Sequence, residues 1–264
     1  MKDNQKLIEA FTNSLPEYLQ DIENVSGKLF YSITWNQIEN HITKEKSLRI
    51  LDIGCGFGVT CIRLSELGHQ VTGIDITPDM IETAKQKAEE KGQNTTFLIG
   101  GVNSLEDTLQ GKTYDFIICH NVLGYIENPT VLLEKLRSLL TKDGYISIIN
   151  HNPASKVLKK ALVEEDLMQA KEAIGEEQEY NSLIGAVVNQ YHTETFYKWF
   201  DLLNFQLTMR YGIRCVFDYL HEKSTLQHDH HVDDLLELEL ELGKTKPFKD
   251  VAFFSHFVIQ KNTG

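Results

Sequence analysis

The sequence predicts an α/β protein built on a doubly wound sheet, and three observations carry the prediction. Apolar runs of strand length alternate with helical patterns between residues 48 and 150, as βαβ units require. The first run, LRILDIGCGFG, passes from a strand into a turn holding Gly54, Gly56 and Gly58 before helix-forming sequence resumes at Val59. The second, HQVTGIDIT, ends on Asp75, about twenty residues beyond the first glycine. Glycine in such a turn admits positive φ and lets a ligand approach the backbone.

Residues 1–46 are read as an N-terminal helical cap, in which Tyr18, Phe30, Tyr31 and Trp35 are candidates to wall a site. Strands follow at 48–53, 70–76, 95–100, 115–120 and 144–150, with helices at 59–68, 78–91 and 129–141. Pro78 suits the first turn of its helix, with Thr77 as cap. After Asn150 the alternation breaks. Residues 154–185 are charged, rich in Ala and Glu and helically spaced, and are read as an inserted lid at about 154–190. A helix at 193–204, a strand at 205–213, a helix at 231–242 and a strand at 251–261 complete the second unit, 47–264. No internal repeat is present.

Glycine-rich turns serve several nucleotides, and the neighbouring residues narrow the choice. A P-loop is excluded because no G-K-[ST] follows. A G-x-G-x-x-G dinucleotide site asks for glycine or alanine at position 59 and for no negative charge where pyrophosphate sits. This chain has Val59, and Asp52 brings a carboxylate to the turn. That carboxylate repels pyrophosphate and suits an ammonium or sulfonium group. Asp75 closes the second strand, where an acid accepts hydrogen bonds from both ribose hydroxyls. Together these residues point to S-adenosylmethionine.

From 48 to 150 the chain resembles the class I S-adenosylmethionine-dependent methyltransferases, whose D-x-G-x-G-x-G turn and strand-terminal acid it reproduces. The resemblance implies a seven-stranded, Rossmann-like sheet with helices on both faces and an antiparallel last strand. It also implies S-adenosylmethionine as cofactor and S-adenosylhomocysteine as product. Carried over by position, the methionine part falls to Asp52, Gly54, Cys55 and Gly56. The ribose falls to Asp75 and Ile76, with Met80 counted among the cofactor residues, and the adenine to Val102, Asn103 and Ser104. His120 ends strand four, where the family has a residue contacting the cofactor beside the departing methyl group. Tyr125 follows at the same sheet edge, where open α/β sheets bind ligands.

In the second half, YGIRCVFDYLHEK (211–223) resembles a motif of the bacterial tRNA 5-carboxymethoxyuridine methyltransferase family. YSITWNQIENHI, HNVLGYIENP and LLELELELGKTKPF also sit where that family has similar text. The resemblance implies methylation of a wobble-uridine carboxylate, with Arg214 gripping that carboxylate. An ionised carboxylate needs no general base, so the chemistry reduces to alignment and desolvation. Arg214 has a second candidate partner in Asp218, four residues on. The chain departs from the family at Glu39, where an arginine reaching the cofactor is expected. It departs again in a lid that carries Glu172, Glu176, Glu177 and Glu179.

A net charge of −12 argues against broad affinity for nucleic acid, since Lys and Arg contacts to phosphate supply most of it. A tRNA would need a local basic patch. Candidates are Lys156, Lys159 and Lys160, and Lys244, Lys246 and Lys249. No run approaches the roughly 18 apolar residues of a membrane span, and MKDNQKLIEAF lacks a signal peptide's apolar core. A cytoplasmic protein is expected, with Cys55, Cys61, Cys119 and Cys215 reduced. His228, His230 and His231 have the composition of a metal site but read better as a solvated loop, so no metal is expected. Asn152–Pro153 matches only half of the N-P-P-Y motif of amino-group methyltransferases. Three functions stay open: methylation of tRNA, O-methylation of a small metabolite, and cofactor binding without transfer.

Overall fold

The computed structural model describes residues 2–42, 46–182, 184–220 and 229–262. Two helices lead, α1 (Lys2–Asp21) and α2 (Val25–Glu39). Asn24 closes the corner between them by accepting the Gly27 N–H at 2.8 Å, a side-chain cap of the ordinary kind. The parallel half of the sheet follows as β1 (Arg49–Ile53), α3 (Val59–Glu66), β2 (Gln70–Asp75), α4 (Pro78–Glu90), β3 (Thr96–Ile99), α5 (Leu105–Leu109), β4 (Tyr114–His120), α6 (Pro129–Leu139) and β5 (Leu140–His151). Pro78 and Pro129 both open their helices, where the missing N–H is harmless. Thr77 occupies the cap position of α4 without a side-chain cap bond, contrary to expectation. Its backbone N–H is instead taken by Asp75 at 2.8 Å.

Side chains alternate across each strand, so both faces of the sheet are apolar. Ile50, Val71, Phe116 and Ile118 pack against α3, α4 and the end of α2. Leu51, Ile53, Ile117, Cys119 and Ile148 face α5, α6 and a later helix, α9 (Thr193–Leu202). Each fully buried Leu, Ile or Phe contributes about 1.5–3 kcal/mol.

Between β5 and α9 lies the segment read as a helical lid, and here the structure differs. After α7 (Pro153–Leu162) and α8 (Leu167–Glu172), the chain forms an antiparallel hairpin, β6 (Gln178–Asn181) and β7 (Ala186–Asn189). Distant contacts make this hairpin, which a helical period does not reveal. The Lys156 ammonium donates to the carbonyls of Glu176 (3.1 Å) and Gln178 (2.9 Å). Gly124 lies so close beneath β7 that a Cβ there would sit 2.5 Å from the Asn189 carbonyl oxygen.

The chain ends its sheet with β8 (Phe205–Ile213), α10 (Asp229–Leu242) and β9 (Phe254–Lys261). Strand order is β3-β2-β1-β4-β5-β9-β8, and β9 runs antiparallel to both β5 and β8. A third apolar cluster joins Leu29 and Ile33 of α2, Leu235 of α10, and Ile149, Ile213 and Phe254 of the strands. It seats α2 on the β5–β9–β8 side. The strand order reverses at β1 and β4, and the crevice beyond their carboxyl ends is where such sheets bind ligands.

Candidate active site

The turn after β1 is shaped by close packing as much as by dihedral freedom. Gly54 has φ +70°, and a Cβ there would lie 2.4 Å from Val122 Cγ2. Gly58 has φ +81°, and its Cβ would meet the Phe97 ring at 2.8 Å. Backbone N–H groups of Gly54 and Cys55 both donate to the Ile74 carbonyl, at 2.7 and 3.1 Å. Asp75 then accepts the Gly56 N–H at 2.9 Å on one oxygen and the Thr77 N–H at 2.8 Å on the other. Both carboxylate oxygens are thereby held in place, each with a lone pair to spare.

Over this turn lies a cavity of about 930 Å³, at the upper end of the range for small-molecule sites. Asp52, Gly54, Cys55, Gly56, Asp75, Ile76, Met80, Val102, Asn103, Ser104, His120, Tyr125 and Arg214 all line it. Of the four aromatic candidates, Tyr18, Phe30 and Tyr31 line it and Trp35 does not. The Trp35 indole instead packs on Tyr31 and carries the Arg63 guanidinium 5.4 Å above its ring. Arg63 also pairs with Glu39 at 3.5 Å, and neither residue reaches the cavity.

Asp52 tests whether the residues suit the expected cofactor. Its side chain is 5% exposed, and its one hydrogen bond among the described residues comes from the Cys61 thiol at 3.3 Å. Burial pushes the carboxyl pKa up to about 7. A buried carboxylate short of partners on the wall of a ligand cavity is suited to a cationic ligand group, which S-adenosylmethionine carries. The fit is good.

The opposite wall is assembled from distant segments. Leu7, Phe11 and Tyr18 of α1 and Phe30 and Tyr31 of α2 form one side. Tyr125 stands edge-on to Phe11 at 5.3 Å and shares hydrogen bonds with Tyr18 and Asn181. Burial raises the Tyr125 hydroxyl further above its ordinary range, so it stays a phenol. Arg214 has φ +61°. The loop after it is gripped by Glu239 of α10, whose buried carboxylate accepts the N–H groups of Cys215, Val216 (3.0 Å) and Phe217 (2.8 Å). The Arg214 guanidinium binds Asp218 in bidentate fashion, with Nε–Oδ2 at 2.6 Å, and donates to Ser26 Oγ at 2.8 Å. Phe217, Phe253 and Phe254 surround it at 4.8–5.4 Å. The neighbouring acid is thus its partner here. Three of its five N–H donors are committed, and it is the sole Lys or Arg among the described residues lining the cavity.

Sequence reasoning missed His151, Asn181, Phe253 and Phe254, which also line the cavity. His151 is the last residue of β5, and its position at a strand's carboxyl end was a usable signal. Burial pushes the pKa of His151 down to about 4 and that of His120 down to about 3, so both imidazoles are neutral at pH 7.

The proposed basic patches change character. Lys156 is 5% exposed and committed to the hairpin carbonyls. Lys159 and Lys160 both pair with Glu164. Lys244 pairs with Glu241, and Lys249 donates to the Arg210 carbonyl. Asn152 clamps the turn before β9 by donating to the carbonyls of Asp250 and Ala252, both at 2.9 Å, and does not line the cavity. His228 and residues 221–223 of the Arg214 motif lie outside the described residues. Among the described residues no group of three His, Cys, Asp or Glu is placed to hold a metal ion. None of their helices is long and apolar enough to cross a membrane.

The sheet order, the glycine turn and a cavity at the switch point that suits S-adenosylmethionine define a class I methyltransferase. The chain belongs to the methyltransferase-domain family, whose model matches residues 44–206. It is an S-adenosylmethionine-dependent enzyme. Among curated proteins it is similar to tRNA 5-carboxymethoxyuridine methyltransferases of Escherichia coli O157:H7 (29% identity) and K12 (28%), each over 89% of both chains. It is 31% identical to a ubiquinone biosynthesis O-methyltransferase of Xanthomonas axonopodis, over 42% of this chain and 46% of that one. In fold it matches a Thermotoga maritima methyltransferase described as a possible histamine N-methyltransferase, at TM-score 0.64 and 14% identity, covering 97% of this chain and 99% of that one.

Proposed function

We propose that this methyltransferase acts on an oxygen of its acceptor, in the first place the carboxylate of a modified uridine at the tRNA wobble position. The observation that carries this reading is the extent of the similarity. The tRNA methyltransferases align with 89% of the chain, acceptor half included, whereas the ubiquinone-pathway enzyme aligns with 42%. Bound S-adenosylmethionine supplies an electrophilic methyl group and leaves as S-adenosylhomocysteine.

In this reading Asp75 receives the ribose hydroxyls and Asp52 faces the cationic methionine part. Gly54, Cys55 and Gly56 offer backbone to it, and Val102, Asn103 and Ser104 flank the adenine. The uncommitted N–H groups of Arg214 receive the acceptor carboxylate, held in direction by Asp218 and Ser26. No residue has to remove a proton, since a carboxylate is ionised at neutral pH. The aromatic side chains of α1 and α2 exclude water, and the β6–β7 hairpin, through Asn181, borders the same cavity.

The second reading, a small carboxylate or hydroxyl metabolite, is favoured by the net charge of −12 and by the commitment of Lys156, Lys159 and Lys160 to protein partners. Radiolabelled S-adenosylmethionine incubated with bulk tRNA and with a small-metabolite extract separates the two. Label in tRNA that is lost in Arg214→Ala supports the first reading. Label confined to the metabolite pool overturns it in favour of the second.

A further inference from the structure

The side chain of His120 is the visible end of a hydrogen-bond chain that runs across one buried face of the sheet, from β4 over β5 and β9 to α2. Its Nε2 lies 2.7 Å from Ser147 Oγ, and Ser147 Oγ lies 2.8 Å from His256 Nε2. His256 Nδ1 lies 2.7 Å from Gln37 Oε1, and Gln37 Nε2 donates to the Gly212 carbonyl at 2.9 Å. Gln37 is 1% exposed, and Ser147 and His256 are fully buried.

One amide sets the proton positions along this chain. The Gly212 carbonyl can only accept, so it must face the NH₂ of Gln37, and the Gln37 oxygen must face His256. That oxygen can only accept, so His256 carries its proton on Nδ1. Buried and neutral, His256 then presents a lone pair at Nε2, which requires the Ser147 hydroxyl proton. Ser147 has no second proton and must accept from His120, which is therefore protonated on Nε2. In a neutral imidazole the other nitrogen, Nδ1, is left with its lone pair exposed. That nitrogen has no partner among the described residues, and His120 lines the cavity.

We propose that Gln37, His256 and Ser147 are positioning residues that lock His120 as the Nε2–H tautomer, so that Nδ1 meets the ligand as a hydrogen-bond acceptor. The matching ligand group is an N–H or O–H donor, supplied by the cofactor or by the methyl acceptor. The inference holds for either acceptor class above and requires only that the cavity be the methyl-transfer site. A donor-bearing ligand is bound well, and a ligand presenting a lone pair at that point is rejected, because a fixed tautomer cannot rotate a proton into place.

The test is long-range ¹H–¹⁵N correlation of the imidazoles in the full chain. The His120 signals are assigned by their absence in His120→Asn. The expected result is Nε2 protonated and Nδ1 unprotonated, unchanged between pH 6 and pH 8. Ser147→Ala and Gln37→Met interrupt the chain at different points, and each should turn the single tautomer into a mixture. With it, binding of S-adenosylmethionine weakens in inverse proportion to the Nε2–H fraction that remains, about tenfold where a tenth is left, if the donor belongs to the cofactor. The acceptor KM rises by the same factor at unchanged cofactor affinity if the donor belongs to the acceptor. Wild-type His120 protonated on Nδ1 overturns the proposal without recourse to any variant. So does a tautomer that persists in both variants, or one that shifts while cofactor affinity and KM both stay put.

Discussion

The two walls of the cavity are built on different principles. The wall proposed for the cofactor comes from one stretch, residues 52–104, and is held by local contacts: the Ile74 carbonyl ties the turn, and the Asp75 carboxylate bridges the Gly56 and Thr77 N–H groups. The acceptor wall is gathered from α1, α2, the ends of β4 and β5, the β6–β7 hairpin and the segments around Arg214 and Phe253. Side chains hold it, through the Arg214–Asp218–Ser26 cluster, the Glu239 carboxylate and the aromatic contacts. The relatives differ in extent, one group matching most of the chain and another matching less than half of it. A wall built from one stretch is set by local sequence, whereas a wall gathered from distant side chains can be refitted to a new acceptor.

Substitutions that separate the walls put this contrast at risk. The largest effect is expected for Arg214→Ala, with methyl transfer falling about a hundredfold or more while the dissociation constant of S-adenosylmethionine stays within about threefold. Leaving Asp218 buried and unpaired also destabilises the fold by about 3–5 kcal/mol, so binding and turnover are to be read well below the melting temperature. Equal loss of both would show that the walls are not independent.

Next comes Asp75→Ala, expected to weaken S-adenosylmethionine about thirtyfold, as loss of hydrogen bonds to a charged group should. An unchanged constant by calorimetry would remove Asp75 from the cofactor wall.

Asp52 gives a pH signature. Its carboxyl titrates near 7 in the folded protein, above the ordinary aspartate range, so the folded state holds a proton there that the unfolded chain has released. Its contribution to stability is therefore fully present below about pH 4 and is lost as pH rises through about 7. A cationic ligand requires the ionised form, so cofactor affinity should fall by up to about tenfold per pH unit below 7. Asp52→Asn should flatten that profile, and a steep profile surviving in the variant would assign the dependence elsewhere.

The smallest effect is expected for Lys159→Ala with Lys160→Ala. Both ammonium groups already pair with Glu164, so tRNA retention on a filter should change by less than about twofold. A large loss would make this the phosphate-binding surface after all.

How far the sequence revealed the molecule follows the same division. The turn at Gly54–Gly58 and the acid at Asp75 are local, and strands buried on both faces leave continuous apolar runs, so the parallel half and the cofactor wall were legible. Arg214 was legible together with Asp218, four residues on, as a candidate partner; Ser26 was not, because it reaches the guanidinium only once α2 is seated by Leu29 and Ile33. The hairpin at 178–189 falls in the segment read as a helically spaced lid, and it was missed because its support, the Lys156 ammonium and the backbone over Gly124, lies outside its own sequence. Trp35 shares a face of α2 with Tyr31 and packs on its ring, but one turn further along it lies beside Arg63, past the end of the cavity. The Gln37–His256–Ser147 chain joins residues up to 219 positions apart, and no spacing rule reaches that far.

The place of β9 has a consequence for the order in which the enzyme is made. β9 stands between β5 and β8, so β8 joins the sheet only when the strand after it has arrived. During synthesis from the amino end, β1 to β5 and the glycine turn can assemble while β8 still waits for a neighbour. Phe253, Phe254 and His256 come with the last strand, and the acceptor wall closes with them. The strands around the glycine turn are thus complete in the chain before the strand that carries Phe254 and His256, and the long-range pairing of that last strand is the slow kind of folding step.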